Sequence, residues 1–311
     1  MQPDQSDERV LISFDYALKR LLRNKANYEV LEGFLSVLLN TDVKVKSIGE
    51  SESNKEHAAD KYNKVDVLVE DETGEIMLIE LQFRLEIDYL HRMLYGTSKA
   101  IAERMIQGAA YTEVKKIYSI NIVYFDLGQG DDYVYHGKTH FRGLHKNDEL
   151  QLSKSQRETF GKATAGDIYP EYYILKVNNF DDNTRDMLDE WIYFLKHNAV
   201  KNDFQAKGLA QARVVLARDN LSPEEQKAYD YMQDQRSEDL SAIASMKLEG
   251  RIEGREEGRI EGREEGREER KKLADELEKE RKEREKERKE REKEREKLLA
   301  EIARLKQNNK K

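Results

Sequence analysis

The stretch VDVLVEDETGEIMLIELQ, residues 65–82, decides the fold of this chain. It contains two runs rich in aliphatic residues, 65–70 and 75–82, which are separated by a short polar sequence that ends in glycine. Runs of this kind around a short glycine-containing loop predict a β-hairpin. We expect residues 72–74 to form a three-residue loop in which Gly74 takes the left-handed conformation.

The register of this hairpin brings two acidic residues together. Once the residues that flank the loop pair, Asp66 lies directly opposite Glu80, and opposed Cβ atoms are about 4.5–5.5 Å apart. Gln82 shares their face because side chains alternate along a strand. The opposite face is apolar and comprises Val65, Val67, Val69, Met77, Ile79 and Leu81.

Two carboxylates as close as those of Asp66 and Glu80 repel each other unless a cation lies between them. Such oxygen donors suit hard divalent ions, and Mg²⁺ is usually held by one or two carboxylates together with water and substrate phosphate. The pair therefore predicts a site for Mg²⁺, or for Mn²⁺ or Ca²⁺, that suits phosphodiester chemistry. The alternative interpretation is a solvated acidic strand face, because this chain is rich in Glu.

The spacing of these residues resembles a known metal-binding core. Asp66, a gap of thirteen residues and then Glu80-x-Gln82 resemble the core of the PD-(D/E)XK nuclease superfamily. More narrowly, the chain is similar to the Rpn group of recombination-promoting nucleases, also called PD-(D/E)XK family transposases. The segments that carry the similarity, in this order, are FDYALK (14–19), the hairpin, YLHRMLYGTSK (89–99) and IYSINIVYF (117–125).

This resemblance implies a restriction-endonuclease-like α/β core, with a mixed sheet flanked by helices, and metal-dependent cleavage of DNA. It assigns catalysis to Asp66, Glu80 and Gln82. The implied metal ligands are Asp66, Glu80 and the backbone carbonyl of Leu81. Gln82 stands where the superfamily usually has Lys, although Gln is usual in the Rpn group. Because Gln cannot take a proton, it would position water by hydrogen bonds. A bound metal would lower the pKa of that water, so that no side-chain base is needed.

Asp15 matches an acidic residue that the superfamily often places on its first helix. The resemblance gives it the role of an outer ligand or a ligand to a second metal. The alternative is an acid near a helix N-terminus, where the macrodipole favours negative charge.

The overall charge is unfavourable for DNA, the partner that the resemblance implies. The formal net charge is −8, and residues 246–311 carry +3, so the remainder carries −11. Phosphate binding needs local positive charge. The predicted DNA contacts are the basic residues Lys19, Arg84, Arg92 and Lys99. The alternative for each of them is a solvated surface base.

Composition excludes several other classes of protein. The chain has no cysteine, which excludes disulfides and thiolate zinc sites and favours a reducing, cytoplasmic location. It also lacks an uninterrupted apolar run of about 18 residues, so we expect no membrane-spanning helix and no membrane partner.

Hydrophobic periodicity predicts the order of the remaining elements. The predicted helices cover 16–39, 86–107, 184–196, 204–217 and 224–248, with Pro223 at the start of the last one. The predicted strands cover 43–48, 117–125, 133–136 and 172–177, and a loop is expected at 49–64. We divide the chain into a PD-(D/E)XK nuclease-like domain (1–200), a helical extension (201–248) and a tail (249–311).

The tail carries a glycine at every fourth position, at Gly250, Gly254, Gly258, Gly262 and Gly266. Each glycine costs a helix about 1 kcal/mol relative to Ala, so we expect a frayed tether unless another helix packs on the glycine face. Residues 278–297 are all charged, and their Glu pairs with Lys or Arg favour a solvated single helix. Because no heptad seam precedes Leu298, a homo-oligomer formed through the C-terminal helices stays a hypothesis.

Two functions from different classes follow from these patterns. The first is a metal-dependent DNA endonuclease, which the resemblance links to recombination, mobile elements or defence. The alternative is a catalytically inactive DNA-associated or oligomeric assembly protein on the same fold. The presence of all the acidic ligands favours the endonuclease.

Overall fold

The predicted hairpin lies within a six-stranded mixed sheet. The computed structural model of the chain describes residues 11–18, 28–50, 64–105 and 110–308. The strands are β1 (Val45–Glu50), β2 (Lys64–Asp71), β3 (Ile76–Gln82), β4 (Ile117–Val123), β5 (Val134–Gly137) and β6 (Glu171–Lys176). Their spatial order is β1-β2-β3-β4-β6-β5, in which β3 and β6 both run parallel to β4. The predicted mixed sheet is confirmed.

The turn between β2 and β3 has the predicted geometry. Gly74 is left-handed, with a φ of 81°, and its amide donates to the carbonyl of Asp71 at 3.0 Å. The Asp71 carboxylate also accepts a hydrogen bond of 2.8 Å from the amide of Glu75. These contacts set the register, in which Asp66 is the Cα partner of Glu80. The predicted pairing of these two residues is therefore confirmed.

Helices cover both faces of the sheet. They are α1 (Glu29–Leu39), α2 (Tyr89–Arg104), α3 (Lys154–Phe160), α4 (Met187–His197), α5 (Leu209–Val215) and α6 (Pro223–Asn308). Five residues of the apolar hairpin face lie in the main core together with residues of α1, α4 and α5, namely Val67, Val69, Met77, Ile79 and Leu81. The other face packs on α2 through smaller clusters around Tyr89 and Ala100.

Aromatic rings at the centre of the main core fix the first described segment. Phe14 is buried and lies edge-on to Phe34, Trp191 and Phe194, with centroid separations of 5.2, 6.1 and 6.2 Å. Residues 14–18 are helical. The burial of Phe14 therefore holds the short helical segment that carries the predicted ligand Asp15.

The predicted elements of the first half of the sheet are present with shifted ends. The strand predicted at 43–48 is β1, which also takes the first two residues of the predicted loop. The rest of that loop, apart from Lys64, lies outside the described residues. The helix predicted at 16–39 corresponds to the helical residues 14–18 and to α1, and the segment between them also lies outside the described ranges.

Three predicted helices begin later than their periodicity indicates. The helix predicted from Glu86 begins as α2 at Tyr89. The helix predicted from Thr184 begins as α4 after Asp186, whose carboxylate caps it by accepting hydrogen bonds from two backbone amides. The helix predicted from Phe204 begins as α5 after Gly208, which has a φ of 87°. A side-chain cap therefore sets the start of α4, whereas the start of α5 is set by a left-handed glycine without a side-chain cap.

The last helix is continuous where we expected a frayed tether. Pro223 is its first residue, as predicted, and Ser222 caps it by exchanging hydrogen bonds with Glu225. The chain divides into two compact units after Ser237, and in the second unit α6 runs through all five glycine repeats as one helix. No described helix has an apolar segment of membrane-spanning length.

Charged pairs explain why the expectation of a frayed tether is wrong. Pairs at three or four residues, such as Glu278–Lys282 at 2.7 Å and Glu280–Arg284 at 2.6 Å, recur along α6. Each contributes about 0.2–0.5 kcal/mol, and their number offsets part of the cost of the glycines. Within the described structure no second helix covers the repeats: a Cβ at Gly254 or Gly258 would meet no atom within 4 Å.

Close packing of α1 on the start of α5 makes a stability prediction. A Cβ at Gly33 would collide with the backbone of Lys207 and lie 2.5 Å from the Cα of Gly208. We expect Gly33→Ala to lower the free energy of unfolding by about 1–3 kcal/mol, measured by urea denaturation. Gly49→Ala is the matched control, because a Cβ there meets nothing within 4 Å. Equal stability of the two variants would contradict this packing.

Candidate active site

Two of the three predicted catalytic residues, Glu80 and Gln82, lie at the C-terminal end of β3, on the sheet face that α2 covers, and the third, Asp66, belongs to β2. Glu80 is 7% exposed and Gln82 is 1% exposed, so both polar side chains are buried. Asp66 is the register partner of Glu80 and therefore belongs to the same face of the sheet. Leu81 faces the apolar core, so its contribution to this face is limited to its backbone.

Arg92 from the first turn of α2 supplies a positive charge to this face. Its Nη2 lies 2.6 Å from Oε1 of Glu80, and its Nη1 lies 3.0 Å from Oε2 of Glu86. A buried carboxylate is stable in its charged form only with a cation or several donors beside it. The Arg92 guanidinium thus supplies the positive charge that the buried Glu80 carboxylate needs.

A buried polar network holds the start of α2 on the sheet. Asn121 of β4 is the register partner of Glu80 and is 0% exposed. Its Oδ1 accepts a hydrogen bond of 3.2 Å from the hydroxyl of Tyr89, and its Nδ2 donates to Ser119 and to the Tyr173 carbonyl. Because Tyr89 is the first residue of α2, this network positions Arg92 one turn later.

The amide of Gln82 is held on one side only. Its Nε2 donates to the carbonyl of Arg84 at 3.2 Å and to Oε1 of Glu86 at 2.9 Å. Its Oε1 is buried and has no hydrogen-bond partner among the described residues. Glu86 contacts both Gln82 and Arg92, although it was not among the predicted site residues.

Asp15 lies in a second ion pair near the end of β3. Its carboxylate is 2% exposed, and its Oδ1 is 3.6 Å from Nη1 of Arg236, which belongs to the first turns of α6. The Arg236 guanidinium lies 3.4 Å from the ring centroid of Phe83, the residue after Gln82. Phe83 stacks on Tyr124 at 4.4 Å, and burial raises the pKa of the Tyr124 hydroxyl well above its usual value.

The predicted DNA contacts occupy different environments. Arg92 faces the two carboxylates described above, and Lys99 pairs with Glu103 at 3.5 Å on α2. Arg84 is exposed and lies two residues after the end of β3, the strand that carries Glu80. Lys19 lies outside the described residues.

The donors at this face suit a hard divalent cation. The buried Glu80 carboxylate, its register partner Asp66 and the Gln82 amide oxygen, which has no hydrogen-bond partner in the described part of the chain, are oxygen donors of the type that Mg²⁺ takes. Among the described side chains, no three His, Asp or Glu residues form a metal site by themselves. A metal at Glu80 therefore depends on Asp66, whose side chain is not described, together with backbone oxygen, water or substrate.

Three contact residues were not identified from the sequence. Asn121 leaves a signal, because it is a polar residue inside an apolar strand. Glu86 and Arg236 have no such signal in the sequence, because their contacts depend on how α2 and α6 pack against the rest of the fold.

Comparison with known proteins gives one family. The model of the PD-(D/E)XK nuclease family transposase matches residues 12–245, about three quarters of the chain. This span includes the whole sheet, α2 and the part of α6 that carries Arg236. Comparisons with curated proteins and with solved structures gave no match.

The pairing of Arg92 with Glu80 makes a stability prediction. We expect Arg92→Leu to lower the free energy of unfolding by about 1–3 kcal/mol, because it leaves a buried carboxylate without its partner. Arg104→Leu is the matched control on the same helix: its pair with Glu70 is longer, at 3.5 Å, and more exposed. That change should cost about 0–1 kcal/mol. Equal losses in chemical denaturation would contradict a buried role for Arg92.

Proposed function

The chain belongs to the PD-(D/E)XK nuclease family transposases, and on this premise we propose that it is a metal-dependent DNA endonuclease. The observation that carries the proposal is the buried carboxylate of Glu80, which is paired in register with Asp66 and shares a strand face with Gln82, whose amide oxygen has no hydrogen-bond partner among the described residues. Oxygen donors gathered on one rigid strand pair are what cation-assisted phosphodiester hydrolysis requires.

In this proposal Asp66, Glu80 and the Leu81 carbonyl hold Mg²⁺, or Mn²⁺ or Ca²⁺ in its place, with Asp15 as an outer group. A bound divalent cation lowers the pKa of its water and neutralises charge on the phosphate. The oxygen of one water molecule bonds to phosphorus as this water loses a proton to solvent, one P–O ester bond breaks, and the leaving oxygen takes up a proton from solvent. Gln82 accepts a hydrogen bond from the attacking water and orients it, because an amide cannot act as a base.

The proposed DNA contacts are the basic residues that the sequence predicted for this role. We assign phosphate contacts to Arg84, which is exposed, to Lys99 on α2 and to Lys19. The Arg92 guanidinium adds a positive charge beside Glu80 and Glu86. Because the chain outside residues 246–311 carries a net charge of −11, this binding is weak and depends strongly on salt.

One observation favours the alternative function. Arg92 already neutralises Glu80 at 2.6 Å, which is the arrangement expected if the fold keeps the acids without using them. The alternative is then a catalytically inactive DNA-associated or assembly protein. Direct measurement of cleavage separates the two functions.

The cleavage prediction compares supercoiled plasmid nicking with and without Mg²⁺. We expect the wild type to cut only with the metal, and Asp66→Ala and Glu80→Gln each to lower the rate on the order of 100-fold or more, because each removes a ligand. Glu72→Gln, an exposed acid in the hairpin turn, is the control and should keep full activity. Equal activity in wild type and Asp66→Ala, or none in either, rejects the endonuclease.

The binding prediction uses DNA anisotropy in Ca²⁺ across a range of salt concentrations. Arg84→Ala and Lys99→Ala should each weaken binding and reduce the slope of log K against log salt by about 1. Lys154→Ala is the matched control, since it removes a lysine that also pairs four residues along its helix, with Glu158 at 4.0 Å. An unchanged slope in the first two variants would remove these residues from the DNA interface.

A further inference from the structure

The loop between β3 and α2 carries a carboxylate that links the two polar ends of the candidate site. Oε1 of Glu86 accepts hydrogen bonds from Nε2 of Gln82 at 2.9 Å and from Nη1 of Arg92 at 3.2 Å. Its Oε2 accepts from the same Nη1 at 3.0 Å, and Nη2 of Arg92 reaches Glu80 at 2.6 Å. Glu86 thus connects Gln82 with Glu80 through Arg92.

Glu86 also determines which way the Gln82 amide points. Both groups that face Nε2, the Arg84 carbonyl and the Glu86 carboxylate, are acceptors without a proton. Rotating the amide by 180° would set its oxygen against these two oxygens, which is repulsive. The nitrogen therefore stays on the Glu86 side, and the oxygen is kept on the opposite side of the amide plane.

The oxygen held in this way needs a donor. Gln82 is 1% exposed, and its Oε1 has no hydrogen-bond partner among the described residues. A buried acceptor without a partner is costly and rare in folded proteins. A water molecule that attacks a phosphate beside Glu80 supplies the missing donor, since Gln82 and Glu80 lie two residues apart on the same face.

We propose that Glu86 is a positioning residue, which locks the Gln82 amide so that its oxygen receives the attacking water. This inference rests on the proposed endonuclease function. A purely structural Glu86 would only anchor the loop and would affect activity to the same extent whatever residue occupies position 82.

A double-mutant cycle tests the coupling. Glu86→Ala should lower kcat for plasmid cleavage about 10–100-fold, the usual effect of removing an outer-shell partner, while KM for DNA stays unchanged. In the Gln82→Met background the same change should lower kcat by less than about threefold, because there is no amide left to orient. Asp88→Ala is the matched control: this exposed acid precedes α2 and makes no side-chain capping bond, so its kcat should equal that of the wild type.

A second measurement does not depend on activity. In protein labelled with ¹⁵N-glutamine, the Gln82 side-chain signal is the one that Gln82→Met removes. Its NH₂ protons should exchange slowly with solvent in the wild type and at least about tenfold faster in Glu86→Ala, while the thermal unfolding of both proteins confirms that they are folded.

The outcomes separate the two proposals. Equal effects of Glu86→Ala in both backgrounds, or fast exchange in the wild type, would overturn the positioning role even if the wild type cuts DNA. A wild type that does not cut would overturn the endonuclease and with it the catalytic use of Glu86. Exchange that is slow in such a protein and faster in its Glu86→Ala variant would show that Glu86 still holds the amide.

Discussion

The burial of one carboxylate is the constraint on which the rest of the structure depends. Glu80 keeps only 7% of its surface exposed, and a buried carboxylate must find positive charge or become neutral. Arg92 supplies that charge from the first turn of α2. The position of α2, in turn, depends on Tyr89 and on the buried Asn121. The polar side chains between α2 and the sheet therefore act as one connected network.

This network makes the site rigid, but its arginine would repel a bound metal ion. A divalent cation held by Glu80 would lie near the Arg92 guanidinium, and two positive charges that share one carboxylate repel each other. Glu86 would moderate that repulsion, because it accepts two hydrogen bonds from Arg92. The same carboxylate receives the amide of Gln82. One loop residue therefore balances the arginine and orients the amide.

The first turns of α6 make a second, similar contact within the same unit. Arg236 pairs with the buried Asp15 and covers the ring of Phe83, which follows Gln82. Beyond Ser237 the helix consists mainly of charged residues, and pairs such as Glu280 with Arg284 stabilise it. The two parts of one helix are thus held by different forces: buried cation–π and ionic contacts in the first, and solvated ion pairs in the second.

The sequence by itself determined the hairpin, the left-handed Gly74 and the pairing of Asp66 with Glu80, because strand alternation and turn chemistry act over a few residues. It also determined the order of the strands and of most helices within shifts of a few residues, but it did not predict α3. Only the tertiary structure decided that Arg92 faces Glu80, that Glu86 holds Gln82 and that Arg236 pairs with Asp15. Those contacts depend on how α2 and α6 pack against the sheet, and packing joins residues whose separation along the chain leaves no periodic signal. The charged tail shows the same limit, since the propensity of single glycines predicted fraying where many weak ion pairs together stabilise a helix.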